Sequence, residues 1–153
     1  MFNSMFFESI QRGLFLFGFN PALKVDNKLY RRYVSFISAI TEVLKDYDIN
    51  IKNKGYSYIV DAVLFIMDQN KLDIKLNDDI YPLIRRKYNL NNIAIVEHCI
   101  RNAIKSAYVR CHNSPVNSRM REYAKKPSNK QFLLAITQEV THKMCTDFLI
   151  SSN

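Results

Sequence analysis

Asn91-Asn92-Ile93-Ala94-Ile95-Val96-Glu97-His98-Cys99-Ile100-Arg101-Asn102-Ala103-Ile104-Lys105-Ser106-Ala107-Tyr108-Val109-Arg110 is the stretch whose spacing decides the fold. Val96, Cys99, Ile100, Ala103, Ile104, Ala107 and Tyr108 recur at i, i+3, i+4, i+7, i+8, i+11 and i+12. That is one apolar stripe of an α-helix facing a core. The opposite side carries Ile95, His98, Arg101, Asn102 and Lys105. Before it, Asn89 to Asn92 is a turn rich in side chains that cap helices. Before that, Asn77-Asp78-Asp79 predicts the start of a short helix ending in Arg85-Arg86-Lys87, with acids at its positive end and bases at its negative end. Pro82 falls in its first turn, where a missing N–H is tolerated. The unit is helix, four-residue turn, helix.

The same periodicity extends outward. Leu29, Tyr33, Phe36, Ile37, Ile40, Val43, Leu44 and Tyr47 line one face of an earlier helix, with Asp26 placed to cap it. Asn50 to Lys54 is a polar connector. After Gly55, Tyr56, Ile59, Val60, Val63, Leu64 and Met67 share one side of a second helix. Leu72 to Leu76 alternates and fits either a strand or a loop tucked on the core. His112 to Lys126 is a basic connection with room for a short helix near Arg119 to Ala124. Ser128 and Gln131 form a capping box for a last helix bearing Phe132, Leu133, Ile136, Val140, Met144 and Phe148. The fold class is therefore all-α, a helical domain containing a helix-turn-helix with an extra N-terminal helical segment. The division read from the chain is an extension over 1–37 and a domain over 38–153.

Composition narrows the function. The chain has 153 residues, 48% of them hydrophobic, with three Gly and three Cys. Three Gly are too few for a phosphate-cradling loop or a dinucleotide-binding turn. Cys99, Cys111 and Cys145 form no disulfide framework and fit a reducing compartment. The longest N-terminal apolar run, 13–19, is far short of a bilayer span, so no membrane role and a cytoplasmic location are expected. His142-x-x-Cys145 has metal-ligand spacing, but the adjacent Cys111-His112 pair does not complete a site, and no metal or cofactor is expected. No nucleophile elbow, HExxH or paired catalytic carboxylates occur, so no enzyme is expected.

Charge gives the positive signal. The chain carries +8 overall. Arg85 to Lys130 holds eleven bases against only Glu97 and Glu122, a net +9, and the remainder is close to neutral. A single-sign block inside a foldable segment points to a polyanion.

Five pieces in order then resemble a known pattern: Gly55-Tyr56-x-Tyr58; Asp61-Ala62; Ile80-Tyr81-Pro82-x-Ile84; Glu97-x-x-Ile100-Arg101-x-Ala103-Ile104; and Lys126-Pro127-Ser128-Asn129-x-x-Phe132. The chain is similar, over about 38–143, to the C-terminal effector domain of stage zero sporulation protein A. The resemblance implies an all-helical DNA-binding domain that reads short promoter boxes and regulates transcription in sporulation or development. The family's phosphorylated receiver domain is not expected in the few residues ahead of the match. Its recognition helix typically reads Arg-Val-Glu-Arg-x-Ile-Arg-His, where this chain has Ile95 to Asn102. Glu97 and Arg101 are kept; Ile95, His98 and Asn102 depart, which predicts a changed or relaxed box.

The residues assigned to base reading are Asn91, Asn92, Ile95, Glu97, His98, Arg101 and Asn102. Those assigned to phosphates are Arg85, Arg86, Lys87, Lys105, Arg110, Arg119, Arg121, Lys125, Lys126 and Lys130. The partner is double-stranded DNA, with a homodimer on paired sites. A second reading stays open: a protein-interaction modulator of RNA polymerase or of a full-length sporulation regulator. The Phe-rich leader (Phe2, Phe6, Phe7, Phe15, Phe17, Phe19) either caps the domain's own core or makes a dimerisation face.

Overall fold

The computed structural model describes residues 27–69 and 73–151. Asp26, Leu72 and the Phe-rich leader, with the roles expected of them, lie outside the described residues. Among the described residues there are five α-helices and no strand: α1 (Asn27–Asp46), α2 (Lys54–Gln69), α3 (Tyr81–Lys87), α4 (Ile93–Asn113) and α5 (Asn129–Ser151). A π-turn (Leu76–Ile80) precedes α3 and a 3₁₀ turn (Arg119–Glu122) precedes α5. The all-α class and the helix-turn-helix order are as the spacing predicts. The first helix, α1, runs across the 37/38 division from Asn27 to Asp46.

The second helix differs most from its expected form. Rather than burying one side, α2 is the central rod and packs against α1, α3, α4 and α5. Tyr58, Ile59 and the run Ala62 to Ile66 are all buried, whereas Tyr56, Val60 and Met67 are only half-buried. A helix that is apolar on nearly every side belongs in the interior. Around it lie Phe36, Ile40, Val43 and Leu44 of α1, Val96, Ile100, Ile104 and Ala107 of α4, and Phe132, Leu133, Ile136 and Val140 of α5. Each fully buried Leu, Ile or Phe contributes about 1.5–3 kcal/mol. The stripe read in 91–110 is the buried face of α4.

Ends of helices are set by local chemistry. At the close of α1, Asp48 is left-handed (φ 56). Its N–H bonds to the Lys45 carbonyl (2.9 Å), and the next N–H, of Ile49, reaches back to Leu44 (3.1 Å). This is a Schellman stop with an Asp in the place usually held by Gly. The Asn53 side chain accepts from Gly55 N (2.9 Å) to open α2. The third helix starts later than Asn77: the π-turn intervenes, and Asp79 Oδ2 accepts from Lys75 N (2.8 Å). Residues 73–75 are irregular with Ile74 buried, the loop alternative rather than the strand. Ser128 and Gln131 exchange hydrogen bonds of 3.0 and 3.2 Å, completing the capping box at the head of α5.

Candidate nucleic-acid interface

The turn between α3 and α4 is a second Schellman stop. Asn89 is left-handed (φ 49), its N–H meets the Arg86 carbonyl (3.2 Å), and Leu90 N–H meets that of Arg85 (3.0 Å). Asn92 then caps α4, its side-chain oxygen accepting from Ile95 N (3.2 Å). Asn91 and Asn92 are both exposed, but they precede the helix rather than forming its first turn. The carboxamide oxygen of Asn92 is committed to the cap.

Two contacts fix where α4 stands. Gly55 is buried at the head of α2 against the middle of α4: a Cβ there would overlap the Cys99 carbonyl and stand 2.8 Å from Ala103 Cβ. At the other side, Asn129 Nδ2 donates to both the Glu97 carbonyl and the Tyr81 hydroxyl, each at 3.0 Å. One carboxamide thus ties the heads of α3 and α5 to the first half of α4. Burial raises the Tyr81 phenol above its ordinary range. A buried hydroxyl kept neutral suits its role as acceptor.

With the helix held this way, Ala94, His98, Arg101, Asn102 and Lys105 are exposed along one side of α4, and Ile95 is half-buried at its edge. Of the residues assigned to bases, His98, Arg101 and Asn102 are brought together there. Glu97 sits at the flank, half-buried, with its carboxylate paired to Arg101 one turn on. Beside this face runs an open groove lined by Lys75, Tyr81, Glu97, Arg101, Lys126 and Lys130, between the heads of α3 and α5.

The basic block is less uniform in space than along the chain. Lys87 turns inward: its Nζ is 2.6 Å from Asp61 Oδ1, the two side chains are 19% and 7% exposed, and it lies over the Tyr88 ring. Arg110 donates to the Asp48 carboxylate (2.6 Å) and carbonyl, holding the tail of α4 to the stop of α1. Arg119 pairs with Glu122 (3.1 Å) and Glu139 and stacks over Tyr47. Arg121 donates to the Val116 (3.1 Å) and Ser114 carbonyls, shaping the connection before α5. These four were assigned to phosphates. Within the fold Lys87, Arg110 and Arg119 pair with acids, two of which (Asp48, Asp61) precede the block and one of which (Glu139) follows it. Counting charge along the chain could not see those partners. Lys130 meets Asp73 (3.3 Å) at an exposed position. Arg85 is half-buried, while Arg86, Lys105, Lys125 and Lys126 are exposed, and none of the five has an acidic partner among the described residues.

Two structural residues were absent from the assignment. Asp61 is buried on α2 and anchors the last turn of α3 through Lys87. Burial, with the Asp61 charge next, raises the Tyr88 phenol well above its ordinary value, and its ring stands edge-on to Tyr58 at 4.8 Å. Asn129 is the other. Both lie in the motif pieces quoted above, where nothing in the spacing shows what they touch.

No described helix is long and apolar enough to cross a membrane. The family model described as "Sporulation initiation factor Spo0A C terminal" matches residues 40–140, which begin in α1 and end in α5. That family consists of DNA-binding effector domains of sporulation regulators and is not an enzyme family. The chain belongs to the sporulation initiation factor Spo0A C-terminal family.

Proposed function

We propose that this protein is a sequence-specific DNA-binding transcriptional regulator, acting in sporulation or development, that reads the major groove with the exposed side of α4. The single observation carrying this reading is the co-exposure of His98, Arg101, Asn102 and Lys105 on one side of the second helix of a helix-turn-helix. In that motif the second helix enters the major groove and its N-terminal half contacts base edges. Arg101 suits a guanine edge, Asn102 an adenine edge, and the half-buried Ile95 a thymine methyl. Glu97, at the flank, accepts from a cytosine amino group when Arg101 leaves it for the duplex.

Phosphate contacts fall to Lys105, Lys125, Lys126 and Lys130, with Arg85 and Arg86 at the end of α3. The groove between the heads of α3 and α5 places Lys126 and Lys130 beside Arg101, where a backbone flanking the read edges would run. One module of this size makes a modest interface, so two copies on paired sites give the working affinity.

An electrophoretic mobility assay with the full chain, genomic fragments and excess non-specific competitor tests the reading. Retention of a subset of fragments in the presence of competitor is the expected result. Equal loss of all fragments on adding competitor contradicts it.

A further inference from the structure

Asn129 stands half-buried at the head of α5, in the chain between Lys126 and Lys130, and lines the same groove as Arg101. Its backbone is set from both sides. Pro127 and Phe132 are buried, Phe132 N–H bonds to the Ser128 carbonyl (3.0 Å), and the Ser128–Gln131 box closes the turn. The side chain leaves α5 for other helices. Nδ2 has two hydrogens, and its two acceptors are the Tyr81 hydroxyl and the Glu97 carbonyl. A carbonyl only accepts, so the amide end of the carboxamide is the end that faces α4. In an α-helix the oxygen of residue 97 also takes the N–H of residue 101. Asn129 therefore grips α4 at the peptide that holds Arg101, whose guanidinium pairs with Glu97 in the same turn.

Packing alone does not set this register. The face beneath α4 is apolar, and burial is non-directional, so a helix lying on it shifts by fractions of an ångström at little cost. A hydrogen bond does not tolerate the same shift. Recognition needs its groups held to about 0.5 Å. The Gly55 approach sets how close α4 comes to α2, and the Asn129 bond sets where α4 stands against the head of α5.

We propose that Asn129 is a positioning residue for DNA recognition: it holds the base reader Arg101 in register with the phosphate contacts of Lys126 and Lys130, and reads no base itself. The inference rests on the DNA-reading role of α4 and adds the tie that couples its two kinds of contact. Phosphate contacts carry affinity common to all sequences, and base contacts carry preference. Cutting the tie spares the first and loses the second.

Anisotropy titrations of the full chain test it, on the duplex that the chain selects from a random pool and on a scrambled duplex of the same length. The unmodified chain prefers the selected duplex; equal binding of both overturns the DNA-reading role and this inference with it, before any variant is made. Asn129→Ala is expected to bind the scrambled duplex within about twofold of the unmodified chain and the selected one about tenfold more weakly, with preference lost at the base pair that Arg101→Ala also flattens. If Asn129→Ala does not fold, Asn129→Ser, whose hydroxyl is too short to span to α4, is read in the same way. Tyr81→Phe, which keeps the bond to Glu97, retains the preference even where it lowers the unfolding midpoint. In the Arg101→Ala background, Asn129→Ala costs no further preference. With the unmodified chain selective, three results overturn the positioning role alone: equal loss on both duplexes or on neither, loss of preference in Tyr81→Phe equal to that in Asn129→Ala, or further loss at a second base pair in the Arg101→Ala background, which would make Asn129 a reader in its own right.

Discussion

Gly55 and Ala103 meet across the crossing of α2 and α4 with no room for a side chain on the glycine: a Cβ would stand 2.8 Å from that of Ala103 and overlap the Cys99 carbonyl. The obstacle is backbone, which cannot swing aside as a flexible side chain could. Gly55→Ala therefore forces α4 away from the core and disturbs the Asn129 bond to Glu97. The expected cost is about 1–3 kcal/mol, outweighing the small gain in helix propensity. Urea unfolding of the variant against the unmodified chain measures it. A variant of equal or greater stability would show that the helices do not approach this closely.

Lys87 and Asp61 give the sharpest test of which cations hold the fold. Lys87→Met leaves a buried carboxylate without its partner, a change worth about 3 kcal/mol of stability. Adding Asp61→Asn removes the stranded charge and recovers most of the loss. A double-mutant cycle by chemical denaturation reads the coupling. If Lys87 served phosphates instead, Lys87→Met would leave unfolding unchanged and weaken DNA binding.

Asp68, near the end of α2, has one carboxylate oxygen buried without a hydrogen-bond partner, and burial raises its pKa above the ordinary Asp value. For a raised folded-state pKa, the folded chain binds the extra proton, so stability falls as pH climbs from the ordinary Asp range through the raised value. Asp68→Asn removes this penalty. The variant is expected to gain stability over the unmodified chain at pH 7 and to lose that advantage near pH 3.5. Denaturation at both values checks it, and a gain of equal size at both would contradict the assignment.

Salt dependence of DNA binding counts the cations that reach phosphates. All eleven bases of 85–130 would give a slope of log K against log salt of roughly −10. Lys87, Arg110 and Arg119 hold acids within the fold, Arg121 holds backbone carbonyls, and Arg101 is assigned to a base edge. The remaining six predict about −5 for each bound copy. Anisotropy titrations from low to physiological salt read the slope, and a value near −10 would mean that those ion pairs open on the duplex.

The sequence made the helices legible because each buries a stripe, and period 3.6 is visible without a partner. The Val96 to Tyr108 spacing, the Ser128–Gln131 box and the turn at Asn89 to Asn92 all appear as read. Local signals of this kind depend on neighbours in the chain. The central position of α2 was not legible, since a helix buried on several faces differs from a one-sided one only by what surrounds it. The Lys87–Asp61 pair was not legible for a related reason. Lys87 reads as one more cation in a row, and its partner Asp61 is 26 residues away. Asn129 reads as a residue after a cap, while its bonds reach back 48 and 32 residues.

Arg101 carries the central claim, that the exposed side of α4 reads base edges. The direct test is to select bound duplexes from a random pool with the full chain, then measure Arg101→Ala on the selected site and on single-base variants of it. The prediction is a defined site, bound about tenfold to a hundredfold more weakly by the variant, with preference lost at one base pair. Unchanged affinity and unchanged preference at every position of the site would contradict it.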